Sequence, residues 1–214
     1  MSTEAVLFDY DGTLVRRDST RFLVLALVQL RPWLAPRAAM DIAALRLARS
    51  PSALQERKCA LVGALTRGLD ADAIRPALTA AAVRMGREAR PKAMAALYRH
   101  TDTGRRVVVV SASAGFYLRH ALAQLGIEVV ATEFEVRDGR YTGRVSGSIC
   151  YGDSKPSAIR ALLGANATIV DAWSDSLSDL PMMLMARERH WLCPPADAAA
   201  VTREDPQGTV VRID

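Results

Sequence analysis

Residues 5–14, AVLFDYDGTL, join an apolar run directly to a polar loop. Ala5 to Asp9 predicts a short buried strand, because a continuous apolar run bounded by a turn signal is typical of a strand covered on both faces. The segment Tyr10-Asp11-Gly12-Thr13 ends that strand, since aspartate followed by glycine marks a loop. The carboxylates of Asp9 and Asp11 are therefore expected where the chain leaves a sheet.

Downstream of residue 100 the sequence alternates strand and helix patterns. The strands are predicted at Arg106 to Val110, Glu128 to Ala131, Ala167 to Asp171, His190 to Leu192 and Val210 to Ile213, with a hairpin at Glu133 to Val136 and Tyr141 to Val145. The strand from Arg106 ends at Ser111-Ala112-Ser113, and helices are predicted from there through Leu125, at Ser154 to Leu163 and at Leu180 to Ala186. This order predicts an α/β fold with a doubly wound parallel sheet, whose site lies beyond the carboxyl ends of the strands.

Between the first strand and the second, the chain reads as helical. From about Asp18 to Tyr98 it is rich in Ala, Leu and Arg, and prolines at positions 32, 36, 51, 76 and 91 interrupt it. Those prolines predict four or five short helices rather than one long helix. We therefore expect a core of residues 1–15 and 100–214, with residues 16–99 inserted as a small helical domain.

The composition excludes several classes of protein. The chain has 214 residues, half of them hydrophobic and 24% charged, which argues against disorder, collagen and coiled coil. Its longest apolar run, Phe22 to Val28, is far short of the ~20 residues that a membrane-spanning helix needs. Cys59, Cys150 and Cys193 are odd in number and widely spaced, so free thiols in a reducing compartment are expected. With no signal sequence in the first residues, a cytoplasmic location is predicted.

The charge is distributed unevenly. Residues 16–99 carry 16 Lys and Arg against 6 Asp and Glu, whereas the rest of the chain carries 12 against 17. A basic segment beside an acidic one favours an anionic ligand between them, with a cation held by the acidic part. The alternative is a compositional bias, since 25 of the 28 basic residues are arginine. No zinc-finger or RNA-binding signature accompanies the basic residues, so no nucleic-acid partner is predicted.

Four polar groups follow predicted strands or begin predicted helices. They are Asp9 with Asp11, Ser111, Lys155, and Asp175 with Asp179. Transfer of a phosphoryl group needs a nucleophile, a proton donor for the leaving oxygen, and cations over the charged oxygens. The first carboxylate pair can divide the first two tasks, and the second pair suits an oxygen-loving ion such as magnesium. Together these groups predict a phosphoryl-transfer site.

The same residues resemble the motifs of the haloacid dehalogenase superfamily. The string FDYDGTL at residues 8–14 is similar to the first motif, DxDGT, in its phosphatase form, and DSLSD at residues 175–179 is similar to the fourth. Ser111 and Lys155 stand where the second and third motifs are expected. The order and spacing agree over essentially the whole chain. The helical insertion and the stretch DGRYTGRVSG resemble the phosphoserine phosphatase-like members.

The resemblance implies roles for these residues. Asp9 would attack phosphorus and form an aspartyl-phosphate, and Asp11 would protonate the leaving alkoxide and then activate water. Mg²⁺ would be held by the Asp9 carboxylate, the Asp11 backbone carbonyl and Asp175, with Asp179 bound through water or orienting a ligand. The phosphate would be held by Ser111, Ala112 and the ammonium of Lys155.

Two residues depart from the pattern. Ser174 stands where many members have glycine before the fourth motif. Asp171 lies only four residues before Asp175 and could compete for the metal, although its place at a strand end favours a structural role. The three histidines, His100, His120 and His190, have no metal-ligand spacing and are expected to be ordinary.

The helical insertion leaves the substrate open. In phosphoserine-type relatives an early acidic residue faces the substrate amine and a later arginine meets the carboxylate, so Asp18 and Arg57 are candidates. The apolar segment Phe22 to Leu30, followed by Pro32-Trp33-Leu34, instead resembles the caps of phosphatidylglycerophosphate phosphatases, which act at membranes. A third interpretation is that these apolar residues only pack the core of the insertion.

The sequence favours a magnesium-dependent phosphomonoester hydrolase acting on a small phosphorylated metabolite. A lipid-phosphate phosphatase at a membrane surface is the alternative that is less favoured. A phosphotransferase would use the same residues. A non-catalytic binding protein for acidic partners is a further class, against which the intact Asp9 and Asp11 pair speaks. The oligomeric state is not predicted.

Overall fold

The computed structural model describes residues 4–212. Within them, six parallel strands form one sheet in the order β3-β2-β1-β6-β7-β8, and a two-stranded antiparallel hairpin, β4-β5, stands apart. The strands are β1 (Glu4–Phe8), β2 (Arg106–Ala114), β3 (Glu128–Thr132), β4 (Phe134–Arg137), β5 (Arg140–Val145), β6 (Thr168–Ser174), β7 (Ala186–Cys193) and β8 (Thr209–Arg212). From β1 the sheet extends through β2 and β3 on one side and through β6, β7 and β8 on the other, so the doubly wound α/β fold is confirmed.

The helices of the described chain fall into two groups. Five lie between β1 and β2: α1 (Ser19–Leu30), α2 (Ala35–Leu45), α3 (Pro51–Thr66), α4 (Arg75–Gly86) and α5 (Pro91–Asp102). Four follow β2: α6 (Gly115–Ala121), α7 (Ser154–Leu163), α8 (Leu180–Met183) and α9 (Ala198–Glu204). Prolines occupy the first turns of α2, α3, α4 and α5, where a missing N–H costs no helical hydrogen bond.

The centre of the sheet is buried on both faces. Val6 and Phe8 of β1 pack into one apolar cluster, while Ala5 and Leu7 pack into another on the opposite face. All four are inaccessible to solvent. Because neighbouring side chains of a strand point to opposite faces, this apolar run specifies a strand that must be covered from both sides.

The helix α5 packs on the core rather than with the inserted helices. Its His100 Nε2 lies 2.9 Å from Asp171 Oδ2 of β6, and its Lys92 Nζ donates to the Arg212 carbonyl of β8. The predicted boundary at residue 99 would divide this helix, so we propose that the inserted domain, called the cap below, ends before α5. On its other side the cap reaches the hairpin: Gly63 of α3 leaves no room for a Cβ against the Gly143 carbonyl.

Some predicted bounds are wrong near the end of the chain. The helix predicted to Ala186 ends at Met183, because Ala186 already pairs with Ile169 at the start of β7. Ladder hydrogen bonds to a buried neighbour outweigh local helix propensity there. The last strand covers Thr209–Arg212, and the predicted final residue, Ile213, lies outside the described residues.

Two expectations from composition can be compared with the structure. The three cysteines are free and buried. Among the helices of residues 4–212, none combines the length and the apolar character that crossing a bilayer requires.

Candidate active site

A polar cavity of about 320 Å³ lies beyond the carboxyl ends of β1, β2 and β6, beneath the cap. It is lined by all but one of the residues predicted for the site, namely Asp9, Asp11, Asp18, Ser111, Ala112, Lys155, Asp175 and Asp179. The carboxyl ends of parallel strands meet at one edge of the sheet, which is why residues so distant in sequence converge here. Arg57 is the exception.

Asp9 and Lys155 form the buried centre of the cavity. The backbone N–H of Asp9 donates to the Trp173 carbonyl at 2.9 Å, which holds the residue at the end of β1. Lys155, in the first turn of α7, places Nζ 2.9 Å from Asp9 Oδ1 and 2.7 Å from Asp179 Oδ1. It also donates to the Val110 carbonyl at 3.3 Å. The ammonium therefore has a single fixed position.

The ionisable groups here are strongly perturbed. Burial raises the pKa of Asp9 well above its ordinary value; repulsion from Asp179 and Asp175 adds to this, and Lys155 offsets part of it. Burial likewise raises the pKa of Asp175 to about 6, with the charge of Asp179 contributing. For Lys155, burial opposes the charged form, but the carboxylates of Asp9 and Asp179 outweigh it and raise the pKa. Asp9 and Asp179 thus share one buried ammonium.

The donor set fits a divalent cation. Thr13 Oγ1 lies 3.1 Å from Asp9 Oδ2 and 3.2 Å from Asp175 Oδ1, yet a hydroxyl has one proton to donate. One of these two carboxylate oxygens is therefore left without that donor. Hard cations such as Mg²⁺ prefer carboxylate and carbonyl oxygens, and an additional positive charge would relieve the repulsion.

Gly12 allows the two carboxylate loops to meet. Its φ is +87°, a conformation that glycine adopts at little cost, and a Cβ there would overlap the Asp175 carboxylate. The Gly12 carbonyl accepts a hydrogen bond from Arg90 Nε at 2.7 Å. The glycine after the second aspartate is therefore required for the close approach of the loop after β6.

Asp11 is held at the boundary between core and cap. Its Oδ1 accepts from the Ser19 backbone N–H at 2.6 Å, and its Oδ2 accepts from the hydroxyls of Ser19 at 3.1 Å and Ser113 at 2.5 Å. Burial raises the pKa of Asp11 to about 6, and the charge of Asp18 adds to the effect despite these hydrogen bonds. A carboxyl group with such a pKa can both give and take a proton near neutral pH.

Asp179 has both carboxylate oxygens engaged. Oδ1 contacts the Lys155 ammonium, and Oδ2 accepts from the Ser174 hydroxyl at 2.8 Å. Ser174, which departs from the glycine of many relatives, therefore orients this carboxylate. The arrangement favours Asp179 as the residue that positions Lys155, rather than as a direct metal ligand.

The cap contributes Asp18 and Lys58, not Arg57. Asp18 caps α1 by accepting from the Thr20 N–H at 2.9 Å, and its other oxygen forms an ion pair with Lys58 Nζ. Arg57 is exposed and donates to the Ala44 carbonyl at 2.9 Å, outside the cavity. On α3 it is Lys58, three residues after the cavity-lining Gln55, that shares the inward face. We therefore propose Lys58, in place of the predicted Arg57, as the basic residue of α3 that faces the substrate.

Several further cavity residues were not singled out from the sequence. They are Gly12, Arg16, Gln55, Lys58, Ser113, Tyr151, Ser176 and Ser178. Gly12, Ser176 and Ser178 lie within the first and fourth motifs, whereas Ser113 and Tyr151 carry no distinctive spacing that would mark them in the sequence. Gln55 and Lys58 are three residues apart on α3, so a helix that begins at Pro51 places them on one face.

Asp171 lies outside this cavity. Its Oδ2 contacts His100 Nε2 at 2.9 Å and its Oδ1 lies 3.2 Å from His190 Nε2. Burial alone would raise the pKa of Asp171, but its contacts with His190 and the charge of His100 lower it. Asp171, Glu188 and His190 also place ligand-type atoms within 4.8 Å of one another, a proximity that the sequence spacing of His190 did not indicate. This cluster is separate from the carboxylates of the cavity.

Comparison with known proteins identifies the same group of enzymes. The sequence model of the haloacid dehalogenase-like hydrolases matches residues 6–184. A probable phosphatase of Mycobacterium tuberculosis (strain ATCC 25618 / H37Rv) is 42% identical over 88 residues, which cover 39% of this chain and 30% of that protein. The phosphoserine phosphatase SerB1 of the same organism is 31% identical over 109 residues, covering 49% of this chain and 35% of that protein. The matches thus span about a third of these relatives.

Solved structures share the fold at low sequence identity. A protein of unknown function from Bordetella pertussis Tohama I superposes with a TM-score of 0.80 at 18% identity, covering 99% of each chain. A substrate-bound phosphoserine phosphatase has a TM-score of 0.61 at 18% identity, covering 98% of this chain and 93% of that one. At this identity the likeness establishes the fold alone.

Proposed function

Because the chain belongs to the haloacid dehalogenase-like hydrolase family, we propose that it is a magnesium-dependent phosphomonoester hydrolase. The observation that carries this proposal is the placement of Asp9 against the buried Lys155 ammonium, with Asp11 two residues further along at the same cavity. Phosphatases among the relatives support the reaction class. A binding protein would need neither the paired carboxylates nor the shared ammonium.

In the proposed reaction, a carboxylate oxygen of Asp9 attacks phosphorus. The Asp9 O–P bond forms while the bond from phosphorus to the ester oxygen breaks, and Asp11 gives its proton to the departing alkoxide. Asp11, now ionised, takes a proton from a water that attacks the aspartyl-phosphate. Inorganic phosphate leaves, and both carboxyl groups return to their starting states.

The charged oxygens of the phosphate are neutralised from two sides. Lys155 holds its ammonium beside Asp9, and Ser111 and Ala112 at the end of β2 border the same space. The carboxylates of Asp9 and Asp175, with the Asp11 backbone carbonyl, would hold Mg²⁺. When bound, the ion supplies positive charge that lowers the pKa of Asp9 and stabilises charge on the transferring phosphoryl group.

The cavity favours a small polar substrate. Besides the catalytic groups it presents Arg16, Gln55 and the Asp18–Lys58 pair, which suit a phosphate ester that carries further charged groups. A phosphoserine-like compound fits this description, and the phosphoserine phosphatases among the relatives and structural neighbours are consistent with it. A soluble substrate of this kind agrees with the predicted cytoplasmic location.

The experiment is a hydrolysis screen of the purified protein with Mg²⁺ against phosphorylated metabolites and lipid phosphates, repeated with Asp9→Asn. The substitution removes the nucleophile with little change of volume, so turnover should vanish while the circular dichroism spectrum is kept. Asp72→Asn, at an exposed carboxylate paired with Arg75, is the matched control and should retain full activity. More than a few per cent of the wild-type rate in Asp9→Asn would contradict the covalent mechanism. Adding an alcohol acceptor that competes with water separates hydrolysis from phosphotransfer.

A further inference from the structure

An apolar stripe covers the outer face of α2. Pro36, Met40 and Ala43 lie on α2 at spacings of four and three residues, which places them along one side of that helix. Trp33, in the 3-10 turn Pro32–Leu34, and Leu47, just after α2, continue the same spacing beyond its two ends. All five are exposed, with Trp33, Met40 and Leu47 at 68%, 70% and 70%. A helix packed in a core would bury such a stripe, whereas α2 buries only Ala38.

This stripe is not the apolar segment that first suggests a membrane. Most of the run in α1 is turned inward, with Leu23, Val24 and Leu27 buried in the core of the cap, while Leu25 and Leu30 are exposed at 47% and 37%. Packing therefore explains most of that segment. The more exposed apolar side chains lie on the next helix and its flanking turns.

The residues beside the stripe are basic. Segment 31–50 carries four arginines, Arg31, Arg37, Arg46 and Arg49, and one acid, Asp41. Arg37 pairs with Asp41 at 3.0 Å, and the Arg31 guanidinium lies 5.6 Å from the centre of the Trp33 ring. An apolar stripe flanked by arginines, with a tryptophan at one end, complements a surface that is negative outside and apolar within.

We propose that this α2 face, residues 31–50, docks on an anionic lipid bilayer with the apolar stripe entering the headgroup boundary. A second copy of the chain is a poorer occupant, since pairing two α2 faces would bring their arginines together. The stripe would sit at the interface and would not span it. Lipid association of this kind scales with the apolar area buried and with attraction to anionic headgroups.

The proposed docking face is separate from the cavity. None of residues 31–50 lines the cavity, and the turn at 46–50 leads into α3, which carries Gln55 and Lys58 to it. Lys58 stands roughly 12 Å along the helix axis from Ser50. The binding surface and the catalytic residues are thus separate, so the proposal does not depend on the proposed hydrolysis.

The test is co-sedimentation with phosphatidylcholine vesicles containing about 30 mol% phosphatidylglycerol. The wild-type protein should bind these vesicles, bind neutral vesicles less, and lose affinity as salt rises. Met40→Glu with Leu47→Glu should weaken binding about tenfold or more, because two apolar side chains leave the interface. Arg46→Gln with Arg49→Gln should weaken binding to anionic vesicles selectively.

Two controls separate this surface from general effects. Val83→Glu lies on α4, on another side of the cap, and changes a side chain of comparable exposure; it should bind like the wild type. Asp9→Asn should also bind like the wild type, whether or not the protein hydrolyses phosphate esters. Circular dichroism verifies that each variant is folded.

Three outcomes would overturn the proposal. The first is absence of binding to anionic vesicles, and the second is binding that Met40→Glu with Leu47→Glu leaves unchanged. The third is a concentration-dependent dimer in sedimentation velocity that these substitutions dissociate, without any vesicle binding. That result would assign the α2 face to self-association instead.

Discussion

The ammonium of Lys155 lies 2.9 Å from Oδ1 of Asp9, although the two residues are 146 positions apart, and solvent reaches almost none of either side chain. The end of β1 supplies the carboxylate and the first turn of α7 supplies the ammonium. Both charges are held together by the core alone, with no contribution from the cap. The charges of Asp9 and Lys155 in the cavity are therefore positioned by β1 and α7.

Loss of Lys155 should damage both stability and activity. In Lys155→Gln, Asp9 and Asp179 would be left buried without their cation, and removing one partner of a buried pair costs roughly 3 kcal/mol or more. We expect a lower free energy of unfolding in denaturant titrations and no measurable turnover. Lys92→Gln is the matched control, because Lys92 is exposed and donates only to a backbone carbonyl. Equal stability of the two variants would contradict this role.

Asp11→Asn should distinguish ester substrates by their leaving groups. Hydrolysis of alkyl phosphates needs a proton on the departing oxygen and should fall by roughly a hundredfold or more. Hydrolysis of p-nitrophenyl phosphate should fall less, because nitrophenolate leaves without protonation. The measurement is kcat on both substrates. Equal losses would indicate that the side chain of Asp11 only supports the contact with Ser19 and Ser113.

Asp175→Ala should raise the magnesium requirement or eliminate turnover. The substitution removes a carboxylate that, like Asp9, lies within hydrogen-bond distance of Thr13 Oγ1 and is a candidate ligand for the ion. Chelation should stop the wild-type reaction, and added Mg²⁺ should restore it. Asp171→Ala is the comparison variant: it should lower thermal stability, since it leaves His100 and His190 without their shared acceptor, while the Mg²⁺ dependence of the rate stays unchanged. The reverse pattern would transfer the metal site to Asp171.

Lys58→Ala and Arg57→Ala test the substrate-facing side of α3. Lys58 lines the cavity and pairs with Asp18, so its loss should raise KM several-fold with a smaller effect on kcat. Arg57 donates to the Ala44 carbonyl, so Arg57→Ala should leave kcat and KM close to the wild-type values. A larger effect of Arg57→Ala than of Lys58→Ala would restore the first assignment.

With soluble substrate, kcat/KM should fall as salt rises, because the basic cap attracts anions.

Asp205 should make stability depend on pH. Hydrogen bonds from Arg189, at 2.8 Å to each carboxylate oxygen, lower its pKa, and Trp191 Nε1 donates as well. A lowered pKa in the folded state stabilises the fold above the ordinary value of about 4, and this stabilisation is lost as pH falls through the folded pKa. Asp205→Asn should therefore cost roughly 3 kcal/mol at pH 7 and less in acid.

The control for Asp205 is the exposed pair of Arg37 and Asp41. Asp41→Asn should change the free energy of unfolding by less than about 0.5 kcal/mol at any pH, as is usual for surface ion pairs. The measurement is urea denaturation between pH 3 and pH 7. A gap between Asp205→Asn and wild type that stays constant over this range would show that the pKa of Asp205 is the same in the folded and unfolded states, and would contradict this prediction.

The sequence by itself determined the alternation of elements and the residues at the ends of its strands. Apolar runs such as Ala5 to Phe8 and Val107 to Val110 specify buried parallel strands, because such runs are stable only when covered on both faces. Once the sheet is parallel, residues that follow its strands must meet at one edge. The convergence of Asp9, Ser111 and Asp175 is in this sense contained in the pattern.

Only the tertiary structure decided which neighbouring residues enter the cavity and which surfaces stay exposed. Arg57 and Lys58 are adjacent and both basic, and a rotation of about 100° per residue around α3 separates a side chain in the cavity from one outside it. The apolar residues of α1 and α2 likewise look similar in sequence, yet Leu23 and Leu27 of α1 are buried while Met40 of α2 is 70% exposed. Local composition cannot distinguish them, because burial depends on which face of a helix meets its neighbours, and that is fixed by packing between elements distant in the chain.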